Sequence, residues 1–451
     1  MNYHLNYNYS LRKSINGEYI LYNKASLKTY YISCKLYYIL KYFYHQSIPM
    51  SYIEDEGKKY GIDLSDFFRL LRQKEFANLL VHEEEYTTRG EKYNLTDKEL
   101  PSGTMLSPER VEFFITKHCN LSCKHCFEGA APKFSIKPFT SSEMERFINQ
   151  LEIAGIKTLK ITGGEPFTHP NIDELLMLLS KVHFETMILS NALLLNEKRM
   201  ELIKKGNIQL GISLDGVSSS THDFIRGKGT YSALKKVLSK LSRNKITFSI
   251  TCTANKKNIS EIKSLINYVL GDLNANTLFI SRLRPMGRAI DNLGLVLNNE
   301  ENDFVKKICI KKQKRYGERL ILADDSTMKV KSAGNRIACS AGNSIFALDE
   351  NFDIYPCVFG IGHTECKIGN ILSNNICDIW KSPKWNVYRG ETLLSDLKDC
   401  KDCRLNQHCI MKNCRLRPVF EGQTFYDAVS YCEGKTRLMN KANNLRIISL
   451  K

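Results

Sequence analysis

Within residues 1–95 short strand-like runs give way to apolar side chains at helical spacing, a period of about 3.6. Short runs at residues 11–14, 19–22 and 29–32, with Asn16 and Gly17 as turn chemistry between the first two, predict short strands. Leu36, Ile39, Leu40 and Phe43 then recur at helical spacing, residues 50–60 contain a second helix, and Phe67, Leu70 and Leu71 with Phe76 and Leu79 mark a third. Ser33 and Ser65 are the expected N-caps of the first and third, because a hydroxyl there accepts an orphan amide hydrogen bond. A small sheet followed by three helices is the layout of a winged helix-turn-helix domain. The polar stretch 83–103 is the expected linker.

From residue 108 the pattern becomes a repeat. Apolar runs at residues 111–115, 158–162, 186–190, 208–214, 246–252 and 277–281 alternate with amphipathic stretches at 142–154, 172–182, 197–205, 231–241 and 259–270. This alternation argues α/β architecture: a parallel sheet covered by helices, here a partial (β/α)6 barrel over residues 108–316. In such barrels the working residues sit at the C-terminal ends of strands. A third region, 335–435, opens on an apparent hairpin, residues 345–348 and 353–356 around Asp349, Glu350 and Asn351, and is rich in cysteine.

A length of 451 residues suits two or three domains rather than one core. No apolar run is long enough to span a bilayer, and the tyrosine-rich N-terminus lacks a basic segment followed by an apolar one. Neither a membrane span nor a secretory signal is expected, and the cytoplasm is the expected compartment. In that reducing setting fifteen cysteines read as metal ligands rather than disulfides. The net charge of +17 raises the question of nucleic-acid binding. Lys and Arg are scattered, however, no nucleic-acid fold motif appears, and acidic and basic side chains nearly balance before Thr96. A lysine-rich solvated surface is the better reading, with anionic clusters or an acidic peptide offsetting part of the charge.

Residues 115–127 read Ile-Thr-Lys-His-Cys-Asn-Leu-Ser-Cys-Lys-His-Cys-Phe, which sets Cys119, Cys123 and Cys126 in a CxxxCxxC array after the first barrel strand. Three thiolates leave one iron of a [4Fe–4S] cube unligated, whereas an electron-transfer cluster is held by four. A zinc knuckle is the competing reading of closely spaced thiolates. The stretch resembles the signature of the radical S-adenosylmethionine (SAM) enzymes, in which the amino and carboxylate groups of SAM occupy the open iron. Further motifs fall at successive strand ends. Gly163-Gly164-Glu165-Pro166 matches the family segment that holds the SAM amino group, its glycines permitting close backbone approach to a ligand. Ser190-Asn191 matches a ribose contact and Ser213 a ribose or carboxylate contact, with Asp215 nearby in no assigned role. Residues 221–231, Thr-His-Asp-Phe-Ile-Arg-Gly-Lys-Gly-Thr-Tyr, follow the pattern of the peptide-modifying branch. There Arg226 would grip the SAM carboxylate through paired donors, the plain alternative being a surface charge before a helix. Arg284-Pro285-Met286-Gly287-Arg288-Ala289 also fits that branch. His118 and His125 flank the array with no chemistry assigned.

Cys339, Cys357, Cys400, Cys403, Cys409, Cys414 and Cys432 follow in an order that resembles the SPASM extension, which holds auxiliary [4Fe–4S] clusters. Zinc would suit Cys400 and Cys403 and leave Cys339, Cys357 and Cys432 unexplained. The resemblance implies an outer cluster on Cys400, Cys403, Cys409 and Cys432, and an inner one on Cys339, Cys357 and Cys414. Two departures stand out: Phe352 takes the place of a usual glycine, and four residues rather than three separate Cys409 from Cys414. The inner set is also one ligand short, because residues 331–338, where related enzymes carry a fourth, hold no cysteine. Either Cys366 completes it or an iron is open to a substrate thiolate. Cys34, Cys252, Cys309 and Cys377 read as buried hydrophobes.

The N-terminal layout resembles the peptide-recognition domains fused to enzymes that modify ribosomally made peptides. Such a domain adds the leader of its precursor as a strand to an exposed sheet edge. Over nearly the whole chain the order of regions resembles the subtilosin-type thioether synthases. That resemblance implies two auxiliary clusters beside the SAM-binding one, a precursor peptide as partner, an electron donor such as flavodoxin or ferredoxin, and no nucleic-acid or membrane partner. It implies that a 5′-deoxyadenosyl radical takes a hydrogen from the core peptide, a cysteine thiolate closes a carbon–sulfur bond at the α-carbon, and an auxiliary cluster accepts the remaining electron. No general acid or base motif is needed. Other products of the same radical stay open: epimerisation with Cys252 as hydrogen donor, carbon–carbon crosslinking, or sulfatase-type maturation. A DNA-binding iron–sulfur redox sensor is the rival of another class, and it predicts no SAM turnover.

Overall fold

The structure, a computed structural model, describes residues 1–6, 8–13, 18–23, 28–83, 107–323, 339–389, 392–403 and 414–428. The N-terminal region contains two three-stranded antiparallel sheets. In one, β2 (Tyr9–Lys13), β3 (Tyr19–Asn23) and β4 (Lys28–Ile32) pair in sequence order; in the other, β1 (Asn2–Leu5) lies between β5 (Ile48–Pro49) and β6 (Leu80–His82). The central place of β3 leaves β2 and β4 as the edges of the first sheet. Helices follow at Cys34–His45, Met50–Tyr60 and Ser65–Leu71. Ser33 caps the first, accepting from the Leu36 amide. Ser65 does not cap the third: it is already helical, and Asp63 accepts from its amide at 2.9 Å and its hydroxyl at 2.8 Å. A carboxylate two residues upstream outcompetes the hydroxyl. Cys34 is exposed at the head of the first helix rather than buried as expected. The turn at Asn16 and Gly17, and residues 84–103 of the expected linker, lie outside the described residues.

Six barrel strands appear within two residues of expectation: β7 (Arg110–Phe114), β8 (Thr158–Thr162), β9 (Glu185–Ser190), β10 (Gln209–Ser213), β11 (Phe248–Ala254) and β12 (Leu278–Arg282). They run parallel in sequence order, and β13 (Leu320–Ala323) adds a seventh that a four-residue run after a long helix did not announce. At the opposite edge β14 (Ile345–Leu348) pairs in parallel with β7, and β15 (Asp353–Tyr355) and β16 (Gly369–Asn370) complete a ten-stranded sheet. The cysteine-rich region is therefore built onto the barrel sheet. Alternation sorts the two faces: Val111, Leu159, Ile188, Ile212 and Ile250 are buried under the helices, while Glu112, Lys160, Met187, Ser213 and Thr251 line the open interior half-buried.

Phe352 explains how the hairpin tolerates the loss of a glycine. Its φ of +61° lies in the left-handed region that favours glycine. The ring is fully buried, with centroids 5.3, 4.7 and 5.4 Å from Phe113, Phe139 and Phe147. Aromatic packing against the barrel thus offsets the backbone cost. Among the described residues no helix is long and apolar enough to cross a membrane.

Candidate active site

The loop after β7 carries Cys119 and Cys123, both buried, and Cys126, half-buried. Burial pushes the Cys119 thiol up to about 12, with Glu165, Cys123 and Cys126 adding to it through their charge. Burial also raises Cys123, against the opposing charge of Arg226, whose Nη1 lies 3.9 Å from its sulfur. The three thiols thus feel one another. Yet among the described residues no three His, Cys, Asp or Glu side chains converge closely enough to hold one metal ion.

Six hydrogen bonds set the shape of this loop. The Gly164 amide donates to the Thr116 carbonyl at 2.6 Å and the Glu165 amide to the His118 carbonyl at 2.9 Å. A Cβ on Gly163, at φ +120°, would lie 2.4 Å from the Thr116 oxygen, and one on Gly164 would lie 2.0 Å from the His118 oxygen. The close approach that demands these glycines is therefore to the cysteine loop itself. Arg288 clamps the far side: its guanidinium donates to the carbonyls of Cys123, Gly129 and Ala130 at 2.9, 2.9 and 2.6 Å, and its amide to that of Cys126 at 2.9 Å. Gly287 makes room for it, since a Cβ there would meet the Phe127 oxygen at 2.2 Å.

The buried Glu165 carboxylate is spent on the protein. It accepts from the Ser190 hydroxyl and the Asn191 amide, each at 2.7 Å, and from the Phe167 amide at 3.1 Å, tying the ends of β8 and β9 together. Burial raises its pKa, with these hydrogen bonds opposing. Asn191 donates to the Asn120 side chain at 2.8 Å, and Ser213 sits on the open face of β10.

Asp215, left without a role by its sequence context, is the hub. Its fully buried carboxylate receives His125 Nε2 at 2.7 Å and Arg226 Nε at 2.6 Å on one oxygen, and the Thr253 amide at 2.8 Å on the other. Burial pushes its pKa up, but the Arg226 and His125 charges and these hydrogen bonds outweigh it and hold the carboxyl well below the usual range. His222 Nδ1 accepts from the Asp215 amide at 3.2 Å, and burial with the Arg226 charge holds this imidazole down at about 4. Arg226 is thus a fixed, nearly buried cation beside the array rather than a surface charge. His125 and Arg288 are the functional residues that sequence reasoning missed. Their only signal was position, between two of the cysteines and inside the Arg284 to Ala289 segment.

Cys252 lies on the helix-covered face of β11 with Ile250 and Ala254, its sulfur 3.7 Å from the Asn258 amide group. It does not face the open interior where a hydrogen donor for epimerisation would be needed. Cys309 and Cys377 are buried as expected.

The inner cysteines of the third region come together. Cys339, Cys357 and Cys414 line one cavity with Tyr388, Arg415 and Leu416. Burial raises all three thiols, Cys339 to about 11, and the charge of Cys414 adds to the other two. Cys366 is buried but does not line the cavity; its thiol is hydrogen-bonded to Tyr388, one of the lining residues. Cys400 and Cys403 are half-buried in one turn, while Cys409 and Cys432 lie outside the described residues.

Two family models match the regions that carry these cysteines. Residues 113–269 match the Radical SAM superfamily, and residues 339–404 match SPASM, an iron–sulfur cluster-binding domain. The chain is 28% identical to the antilisterial bacteriocin subtilosin biosynthesis protein AlbA of Bacillus subtilis over 68% of its length, a match that takes in 65% of that relative. It is 24% identical to the sporulation killing factor maturation protein SkfB of the same organism, over 64% of this chain and 67% of the other. In fold it is similar to Streptococcus suis SuiB bound to the precursor peptide SuiA, with a TM-score of 0.70 at 17% identity, over 96% of this chain and 100% of that one. The radical SAM domain binds a [4Fe–4S] cluster and SAM, and the SPASM domain binds iron–sulfur clusters. With its three-cysteine loop at the end of β7 and a second cysteine cavity on the extended sheet, the chain carries a radical SAM domain followed by a SPASM domain.

Proposed function

We propose that the protein matures a ribosomally made peptide, forming intramolecular thioether bonds from cysteine sulfur to the α-carbon of acceptor residues. The observation that carries this reading is the combination of the clamped three-cysteine loop with a second, separate cavity lined by three cysteines. Likeness to proteins named for bacteriocin biosynthesis and peptide maturation, and to a fold solved with a precursor peptide, supports a peptide as substrate. In this reading Cys119, Cys123 and Cys126 hold the SAM-binding cluster, which when bound supplies the electron that releases a 5′-deoxyadenosyl radical from SAM. Gly163, Gly164, Asn191, Ser213 and Arg226 face that cofactor. Glu165 serves it indirectly, by fixing the backbone of its own segment. Asp215 holds Arg226 by its Nε and so turns Nη1 toward the loop.

Cys339, Cys357 and Cys414 hold the inner auxiliary cluster in the same reading, and Cys400 and Cys403 with Cys409 and Cys432 the outer one. Cys366 does not line the cavity with Cys339, Cys357 and Cys414, which suits an iron left open to a substrate thiolate. Residues 1–95 serve as the leader-recognition domain, with β2 and β4 as the sheet edges to which an extended peptide can add. The barrel over residues 108–316 and the SPASM domain over 335–435 complete the organisation. Clusters and free thiols of this kind belong in the reducing cytoplasm. The test is anaerobic incubation of reconstituted enzyme with SAM, reductant and a cysteine-containing precursor peptide, read by mass spectrometry. Each thioether removes one C–H and one S–H hydrogen, so loss of two hydrogens per bond with thiols no longer alkylated supports the reading. Unchanged mass with deuterium taken up from solvent would replace it by epimerisation.

A further inference from the structure

On the outer side of the cysteine loop two ammonium groups share one aromatic ring. Lys124 Nζ lies 3.8 Å and Lys257 Nζ 5.1 Å from the centroid of Phe224. Among the described residues no carboxylate pairs with either lysine. Phe224 is itself 42% exposed, and Ile290 and Leu293 beside this loop are 58% and 56% exposed. Lys124, Phe224, Ile290 and Leu293 hang on segments bonded to the array, and the Lys256 amide, next to Lys257, donates to the Leu295 carbonyl at 2.9 Å. Lys124 stands between Cys123 and Cys126, and its amide donates to the Ile225 carbonyl at 2.9 Å. The Asn292 side chain donates to the Lys124 carbonyl at 3.3 Å, and the Arg288 amide to the Cys126 carbonyl at 2.9 Å.

Placing like charges together over a ring leaves a positive potential that an anionic partner relieves, and exposed apolar side chains give such a partner something to cover. We propose that this face is the docking surface for a small acidic one-electron carrier protein, which delivers the electron that the cluster needs through the loop that bears Lys124. The inference rests on the reading that Cys119, Cys123 and Cys126 hold a reducible cluster. In the transfer step one electron leaves the carrier and enters the cluster, and no bond forms or breaks.

The test uses the reconstituted full chain, reduced either by a flavodoxin or by dithionite, and follows bleaching of the iron–sulfur absorbance by stopped flow. Lys257→Glu should slow reduction by flavodoxin by roughly tenfold at low ionic strength and flatten its salt dependence, while dithionite reduces wild type and variant alike. Phe224→Ala, which keeps both charges, should also slow flavodoxin alone. Equal flavodoxin rates in wild type and both variants would overturn the proposal, as would an equal fall with both reductants. Failure of the underlying reading shows separately: dithionite would then bleach the wild-type protein without 5′-deoxyadenosine being released from SAM.

Discussion

Phe352 offers the sharpest test of how the cysteine-rich hairpin is fastened to the barrel. Removing the ring gives up its contacts with Phe113, Phe139 and Phe147, and a buried Phe→Ala change costs about 3–5 kcal/mol. The alanine keeps the left-handed φ of +61°, which costs an L-residue about 1–2 kcal/mol. Glycine escapes that cost and gives back about 0.5–1 kcal/mol in backbone entropy. Phe352→Gly should therefore be less damaging than Phe352→Ala by up to about 1 kcal/mol, the reverse of their usual order in a helix or strand. Hydrogen exchange of the β14 and β15 amides reads this directly, because exchange through local opening quickens about tenfold for each 1.4 kcal/mol. The alanine variant should quicken exchange by about two to three orders of magnitude, and the glycine variant by several-fold less. A glycine variant as unprotected as the alanine one, or wild-type protection in both, would refute the reasoning.

Asp215→Asn should leave Arg226 and His125 without their shared anchor and lower SAM binding about 10–100-fold while iron content persists; unchanged affinity by equilibrium dialysis would remove Asp215 from the site. His222 is held near 4 against an ordinary value of 6.5, so the folded protein keeps it neutral while the unfolded chain takes up a proton below 6.5. Stability should then fall as pH drops from 6.5 toward 4, by up to about 3 kcal/mol, and urea melts of His222→Gln should lack this component. Cys366→Ser should leave the iron content and the electron paramagnetic resonance of the inner cluster unchanged, because that thiol does not line the cavity of Cys339, Cys357 and Cys414; loss of a quarter or more of the iron would make Cys366 a ligand.

Much of this architecture is legible in the chain because its signals are local. Strand and helix periods located six barrel strands to within two residues, since each strand alternates between a helix-covered and an open face. The cysteine spacings singled out both metal neighbourhoods, and Arg226 was marked by its segment. What stayed hidden depends on contacts remote in sequence. Asp215 becomes a hub only when His125, ninety residues earlier, meets its carboxylate. The pairing of β14 with β7 joins residues more than two hundred apart, and nothing in a four-residue apolar run says which edge it will seek. Gly163 and Gly164 read from the sequence as sites of close approach to a ligand, whereas in the folded chain the close neighbour is the cysteine loop's own backbone. Ser65 lost its capping role to Asp63, and Phe352 kept a glycine's conformation, each through a partner that a propensity scale does not see.

The central claim is that Cys119, Cys123 and Cys126 grip three corners of a [4Fe–4S] cube and leave the fourth to SAM. The most direct measurement is release of 5′-deoxyadenosine by anaerobically reconstituted protein given SAM and dithionite, with Cys123→Ala as the control. The account predicts release by the wild-type chain that vanishes in the variant. Zinc in place of iron at that loop, or no 5′-deoxyadenosine from a fully loaded and reduced protein, would contradict it.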